Sequence, residues 1–200
     1  MMEQTKQRII DLLMSTNRTG MDKLVEHMDK NGFFTAPCSG AYHLAKNGGL
    51  SEHSLNVYDQ MFQFAQTTYF NDELESKWQE RIIITSLLHD LGKIGQFGKP
   101  NYVENFLKTR DKDGNPKRSD SKPYVTNSEL LCVPHEVRSI QIASQFIELT
   151  EEESWAILMH NGLYGDFKYD IKGKETPLYM LLHFSDMWCS RVVEKESEDK

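Results

Sequence analysis

No stretch of this 200-residue chain holds the roughly 20 consecutive apolar residues that a membrane span needs, so no membrane partner is expected. Its opening segment, MMEQTKQRIIDLLMS, carries an amphipathic pattern and no signal-peptide h-region. Cysteine is scarce. Cys38, Cys132 and Cys189 are widely separated and form no CxxC pair, which argues against a disulfide frame or a zinc knuckle. They read as reduced residues of a cytoplasmic protein. A surplus of basic charge is also missing: the net charge of −7 argues against a broad cationic surface for duplex DNA, while leaving room for a small basic pocket around one phosphate. There is no GxSxG element, no internal repeat and no linker-like stretch. With 38% hydrophobic and 26% charged residues, the composition is that of one globular domain over 1–200, its core at about 18–194 and a charged C-terminal tail.

What is present is helical periodicity. Residues 6–15 and 20–30 read as short helices, the second with Met21, Leu24, Val25 and Met28 at helical spacing and an Asn31-Gly32 stop. A glycine-containing loop, 33–50, leads to Ser51, which reads as the N-cap of a helix to about Thr67. Further helices are expected over 73–91, 135–148, 151–160 and 177–194. Thr150 with Glu153 makes a capping box for 151–160, and Thr176-Pro177 supplies N-cap and N1 for the last helix. The stretch 95–134 breaks the pattern with turn-rich, charged sequence, Asp111-Lys112-Asp113-Gly114 reading as a hairpin turn. The expectation is an all-α, single-domain helical bundle with a small irregular or hairpin excursion at about 95–134. The terminal EKESEDK reads as frayed.

Three ionisable residues interrupt the apolar stripes. His53 lies in line with Val57, Met61 and Phe64; Asp90 follows Ile83 and Leu87; Asp186 lies between Leu182 and Cys189. Steps of three and four place each on a face that otherwise meets the core. Unpaired buried carboxylates cost several kcal/mol, and two of them repel. A divalent cation removes both penalties, and inward-facing His and Asp on bundle helices are a usual means of holding one. His89, beside Asp90, completes a set of two imidazoles and two carboxylates. His135, opening a helix, and His160, closing one, are candidates for a second ion, with Asp90 as the natural bridge. His27 reads as surface and His183 as core or support for Asp186.

Taken in order, His53, His89-Asp90 and Asp186 resemble the HD-domain superfamily of metal-dependent phosphohydrolases. GGLSEHSLNVY and HDLGK are similar to the stand-alone HD hydrolases and to the HD domain of a bacterial 3′→5′ exoribonuclease, and FFTAPCSGAYH fits the stand-alone group. The likeness covers about residues 18–190. It departs from the exoribonuclease at Leu44, where a second histidine is usual, and at Glu136, where glycine is usual.

The resemblance implies a helical HD domain in which His53, His89, Asp90 and Asp186 hold one ion, and Asp90, His135 and His160 a second. One or two divalent transition-metal ions (Mn, Fe, Co, Ni or Zn) would then activate a water against a phosphomonoester or phosphodiester. The expected partner is a small phosphorylated substrate, a nucleotide foremost, with Lys93 facing its phosphate. Arg138 and His43 are candidate substrate contacts, and the basic and aromatic residues of 95–134 a candidate specificity element. The alternatives are a 3′→5′ nuclease on single-stranded nucleic acid, a di-iron oxygenase, and a non-catalytic ligand-binding HD module.

Overall fold

The structure, a computed structural model, describes residues 2–68 and 75–195. Among these the chain forms α1 (Met2–Ser15), α2 (Met21–Lys30), α3 (Gly49–Thr68) and α4 (Glu75–Leu88), then four short strands, β1 (Tyr102–Glu104), β2 (Phe106–Arg110), β3 (Pro116–Arg118) and β4 (Tyr124–Thr126). Helices α5 (His135–Ala143), α6 (Glu151–Met159) and α7 (Pro177–Trp188) follow. None of the helices is long and apolar enough to cross a membrane.

Helix α4 is the axis of the bundle. Ile82, Ile83, Ile84, Leu87 and Leu88 cover every side of its C-terminal half and all are buried, while Gln79 is exposed and Arg81 half-buried in the half before. Thr85 and Ser86 sit among them by turning their hydroxyls back onto the carbonyls of Arg81 and Ile82, at 2.8 and 2.5 Å. Helices α1, α3, α6 and α7 pack around α4. Its C-terminal end, and the residues that follow, are thereby delivered into the centre of the molecule.

Several local signals act where the sequence places them. The Thr150–Glu153 capping box starts α6, and the Thr176 hydroxyl accepts the Tyr179 amide at the head of α7. Others do not. Ser51 lies inside α3, which begins at Gly49, and its hydroxyl donates to the Gly48 carbonyl instead of capping. Helix α5 ends at Ala143, short of the expected 148. The last helix gives way after Trp188 to a wider π turn over Cys189–Val193. The expected start of the fourth helix at 73, and the final residues of the tail, lie outside the described residues.

The expectation of an all-α fold is overturned, because the excursion is organised as two small antiparallel sheets and the fold is mixed. Strand β1 pairs with β4, Tyr102 opposite Thr126 and Glu104 opposite Tyr124, and encloses β2 paired with β3. Asp111 builds the tip, its carboxylate accepting the amides of Asp113 and Asn115 at 2.9 and 2.8 Å. Strands this short, with β2 exposed throughout, leave almost no alternating apolar pattern to read. What holds them is backbone pairing, the Arg118 guanidinium 4.4 Å from the Tyr124 ring centre, and the Tyr124 amide donating to the Gly40 carbonyl.

Candidate metal centre

Five separate segments bring ionisable side chains to one place. His53 comes from the first turns of α3, His89 and Asp90 from the residues just beyond α4, and His135 from the start of α5. His160 follows α6, and Asp186 lies near the end of α7. Around Asp90 the chain makes a tight 3₁₀ turn, Leu91–Ile94, that packs on α5. Gly92 is required there by close approach: a β-carbon on it would stand 2.1 Å from the His135 carbonyl oxygen. The Ser139 hydroxyl ties the two pieces, accepting the Gly92 amide and donating to the His89 carbonyl, both at 2.7 Å.

A Gly92→Ala variant should therefore push α5 and His135 away from Asp90. The expected result is a stability loss of about 1–3 kcal/mol from overpacking and selective weakening of the His135–His160 side of the site. Denaturant titration together with elemental analysis checks it. Wild-type stability and metal content in the variant would overturn this account of Gly92.

The convergence is close. His135 Nε2 lies 3.0 Å and His160 Nε2 3.6 Å from Asp90 Oδ1, and the two imidazole nitrogens are 3.3 Å apart. Asp90 Oδ2 has His89 Nε2 at 3.4 Å and His53 Nε2 at 3.7 Å, and His53 Nε2 is 3.1 Å from Asp186 Oδ1. An ion bound at 2.0–2.1 Å from each donor sets neighbouring donors about 3–3.4 Å apart, and the 3.0–3.7 Å found lies within a few tenths of an ångström of that.

Three of the buried donor atoms, His53 Nε2, His89 Nε2 and Asp90 Oδ1, have no hydrogen-bond partner. Such orphans are costly in a protein interior. Donor type, spacing and unmet bonding fit a divalent ion. The atoms of His53, His89 and Asp90, of His89, His160 and Asp186, and of Asp90, His135 and His160 form groups that can hold a metal, Asp90 belonging to two of them.

The opposite ring nitrogens fix the orientation. His89 Nδ1 is 2.8 Å from the Ser86 carbonyl and His160 Nδ1 2.8 Å from the Ile157 carbonyl. A carbonyl only accepts, so each Nδ1 carries the proton and each Nε2 offers its lone pair inward. His53 does the same against a carboxylate: its Nδ1 donates to Glu194 at 2.9 Å, and Asn56 Nδ2 donates to that carboxylate at 2.9 Å.

Glu194 falls in the segment expected to fray, yet it is only 7% exposed. No local signal in the sequence marks it, because its partner lies 141 residues away and the π turn that aims it follows from how α7 ends. Glutamine at 194 keeps the shape and loses the charge. A Glu194→Gln variant should hold metal roughly 10- to 100-fold more weakly while staying folded, as measured by competition with a chelator; unchanged affinity would reduce Glu194 to a packing role.

The electrostatics suit a cation. Burial opposes charge on Asp90, yet Lys93 and the imidazoles of His89, His135 and His160 hold it well below the usual carboxylate range. Burial is likewise outweighed at Asp186, held low by His53, and at Glu194, held low by His53 and Asn56. His53 is raised against the effect of burial by Cys38, Asp186 and Glu194, and His160 by Asp90, whereas burial lowers His89. A metal ion competes with protons for these imidazoles, so its affinity should fall as pH drops. The site also lies beyond the C-terminus of α4, the negative end of the helix dipole.

A cavity of about 1050 Å³ opens from this cluster, with Asp90, Lys93, His160 and Asp186 in its wall. Lys93 Nζ is 2.6 Å from Asp90 Oδ2, so this lysine holds the central carboxylate as well as facing the cavity. His43 lines the cavity. His183 supports the site by its Nδ1, 2.7 Å from the His160 carbonyl.

Arg138 is not brought to the cavity. It is buried, donating to Asn101 Oδ1 and the Leu131 carbonyl, and it ties the base of the β excursion to α5. None of residues 95–134 lines the cavity either. Its mouth is built from Tyr42, Tyr164, Arg191 and Lys195, residues that no spacing or periodicity singles out.

No family model matches the chain, and neither a curated protein nor a solved structure does. What the chain does must be read from its own residues.

Proposed function

We propose that this protein is a metal-dependent phosphohydrolase of the HD-domain type, acting on a phosphomonoester or phosphodiester of a nucleotide-like substrate. One observation carries the reading: three histidines present Nε2 lone pairs from Nδ1-anchored rings to a shared buried carboxylate, beside a lysine at a cavity wall. The ordered His, His-Asp, Asp pattern of the sequence supports it independently. His53, His89, Asp90 and Asp186 would hold one divalent ion, and Asp90, His135 and His160 another. When bound, such ions supply Lewis acidity toward water and toward phosphoryl oxygens.

The remaining roles belong to the chain. Asp90 spans both groups, Oδ1 toward His135 and His160 and Oδ2 toward His53 and His89. Lys93 places a fixed ammonium where a phosphate at the cavity wall gains negative charge. Arg191 and Lys195 add cationic charge at the mouth, the Arg191 guanidinium lying 5.3 Å from the Tyr164 ring centre. Tyr42 and Tyr164 are 86% and 72% exposed there, offering the Tyr42 ring and the face of Tyr164 opposite Arg191 to stack on a base. Cavity volume and rim chemistry together favour a nucleotide over a small phosphate ester.

The test is reconstitution with manganese, iron or zinc in turn, then measurement of phosphate released from nucleoside phosphates. Metal-dependent release is the expected result. Stepwise shortening of single-stranded oligonucleotides in preference would favour the nuclease alternative, and iron-dependent oxygen consumption the oxygenase. A protein that retains none of the three metals would overturn the reading and leave a ligand-binding module.

A further inference from the structure

Cys38 is fully buried, and its Sγ lies 3.3 Å from His43 Nε2. Donor atoms of Cys38, His43 and His53 fall within 4.8 Å of one another, and the Cys38 Sγ lies 3.9 Å from Asp90 Oδ2. The Cys38–His43 stretch is a built turn. The Cys38 amide donates to the Leu44 carbonyl at 3.2 Å, and the Ser39 hydroxyl donates to the His43 carbonyl at 2.8 Å while accepting the Tyr42 amide. The His43 and His53 rings lie side by side, with centres 4.9 Å apart.

We propose that Cys38, His43 and His53 form a separate site for a thiophilic ion such as Zn²⁺, and that an ion there withdraws His53 from Asp90 and Asp186. For Zn–S near 2.3 Å and Zn–N near 2.0–2.1 Å, a tetrahedral S-to-N edge is about 3.5 Å. The observed 3.3 Å therefore needs a shift of a few tenths of an ångström. Of the two nitrogens of His53, Nδ1 is engaged by Glu194 and Nε2 is buried without a hydrogen-bond partner, so Nε2 is the donor available.

One nitrogen cannot ligate two ions. The site is therefore exclusive with the group His53, His89 and Asp90, and this consequence rests on the reading of that group given above. The two sets differ in kind. A thiolate with two imidazoles selects zinc or cuprous ion, while the carboxylate-containing sets accept manganese or iron as well. His43 lines the cavity, which gives the ion a way in. Burial pushes the Cys38 thiol up to about 11 despite Lys93 Nζ at 3.8 Å from the sulfur, so the ion must displace the thiol proton to bind.

Cobalt(II) titration of the full chain is the test, because thiolate ligation gives a sulfur-to-cobalt charge-transfer band in the near ultraviolet. Cys132, which is exposed, is replaced by serine in every sample so that the band reports only buried sulfur. The band should appear in this background and in Asp90→Asn, and vanish in both Cys38→Ser and His43→Ala. Melting curves show that each variant is folded. No band at any cobalt excess, or a band that survives Cys38→Ser, would overturn the proposal. Failure of the Asp90-centred reading is told apart, since it would show as an unchanged total ion count in Asp90→Asn whatever the band does.

Discussion

Asp90→Ala protein should lose its tightly bound metal and, on the phosphohydrolase reading, at least about 10³-fold of its activity, the equivalent of several kcal/mol of transition-state stabilisation. The residue is 1% exposed and is the side chain common to the His53–His89 and His135–His160 groups. Wild type reconstituted with manganese should carry about two ions per chain if both groups are filled. His89, His160 and Asp186 remain within ligating distance of one another in the variant, so a single, easily chelated ion is the most it should keep.

Asp90→Asn is the matched control, with the same volume and no charge. It separates loss of coordination from loss of fold. Binding also shows in stability: wild type gains about 2.7 kcal/mol at a free metal concentration of a hundred times Kd, and neither variant should gain comparably. Elemental analysis and thermal melts with and without manganese measure all of this. A variant that keeps its full metal content would remove Asp90 from the bridging role.

Lys93→Ala should separate catalysis from metal binding. Its ammonium lies 2.6 Å from Asp90 Oδ2, and each member of the pair strengthens the charged state of the other against the cost of burial. Without metal, the variant leaves a buried carboxylate lacking its cation, at a cost of roughly 3 kcal/mol, or rather less because the lysine is not fully enclosed. Manganese replaces the missing positive charge, so the loss should be recovered when metal is added. Hydrolysis should not recover: removing one preorganised charge beside the reacting phosphate lowers kcat by about 10²–10³-fold. Denaturation with and without manganese, set beside kcat for the loaded protein, gives both halves. Wild-type kcat in loaded Lys93→Ala would leave the lysine as a structural counter-ion to Asp90.

Much of the fold was legible because helices are written locally. The buried stripe of α4, the stop after α2 and the capping residues of α6 and α7 depend on neighbours three or four positions away. The same short range explains what was misplaced. Ser51 has the chemistry of an N-cap, but Gly48 and Gly49 carry the chain into the helix sooner. The strands of the excursion are held by pairing between segments about 20 residues apart and by docking on Gly40, and neither leaves a period in the sequence.

The candidate site divides along the same line. By itself the sequence determined which side chains would be driven inward: His53, Asp90 and Asp186 interrupt apolar stripes, with His89 beside Asp90, and a stripe is a property of one helix. Only the tertiary structure decided which groups meet. It turned Arg138 onto Asn101 and Leu131, set Lys93 on Asp90, and placed Cys38 against His43. It also brought Glu194 from the far end of the chain to orient His53. Periodicity acts over a few residues along one axis, whereas these contacts depend on how α3, α5 and α7 cross. A charged group buried at such a crossing takes whatever partner the packing puts within reach, because leaving it unpaired costs more than any local preference can return.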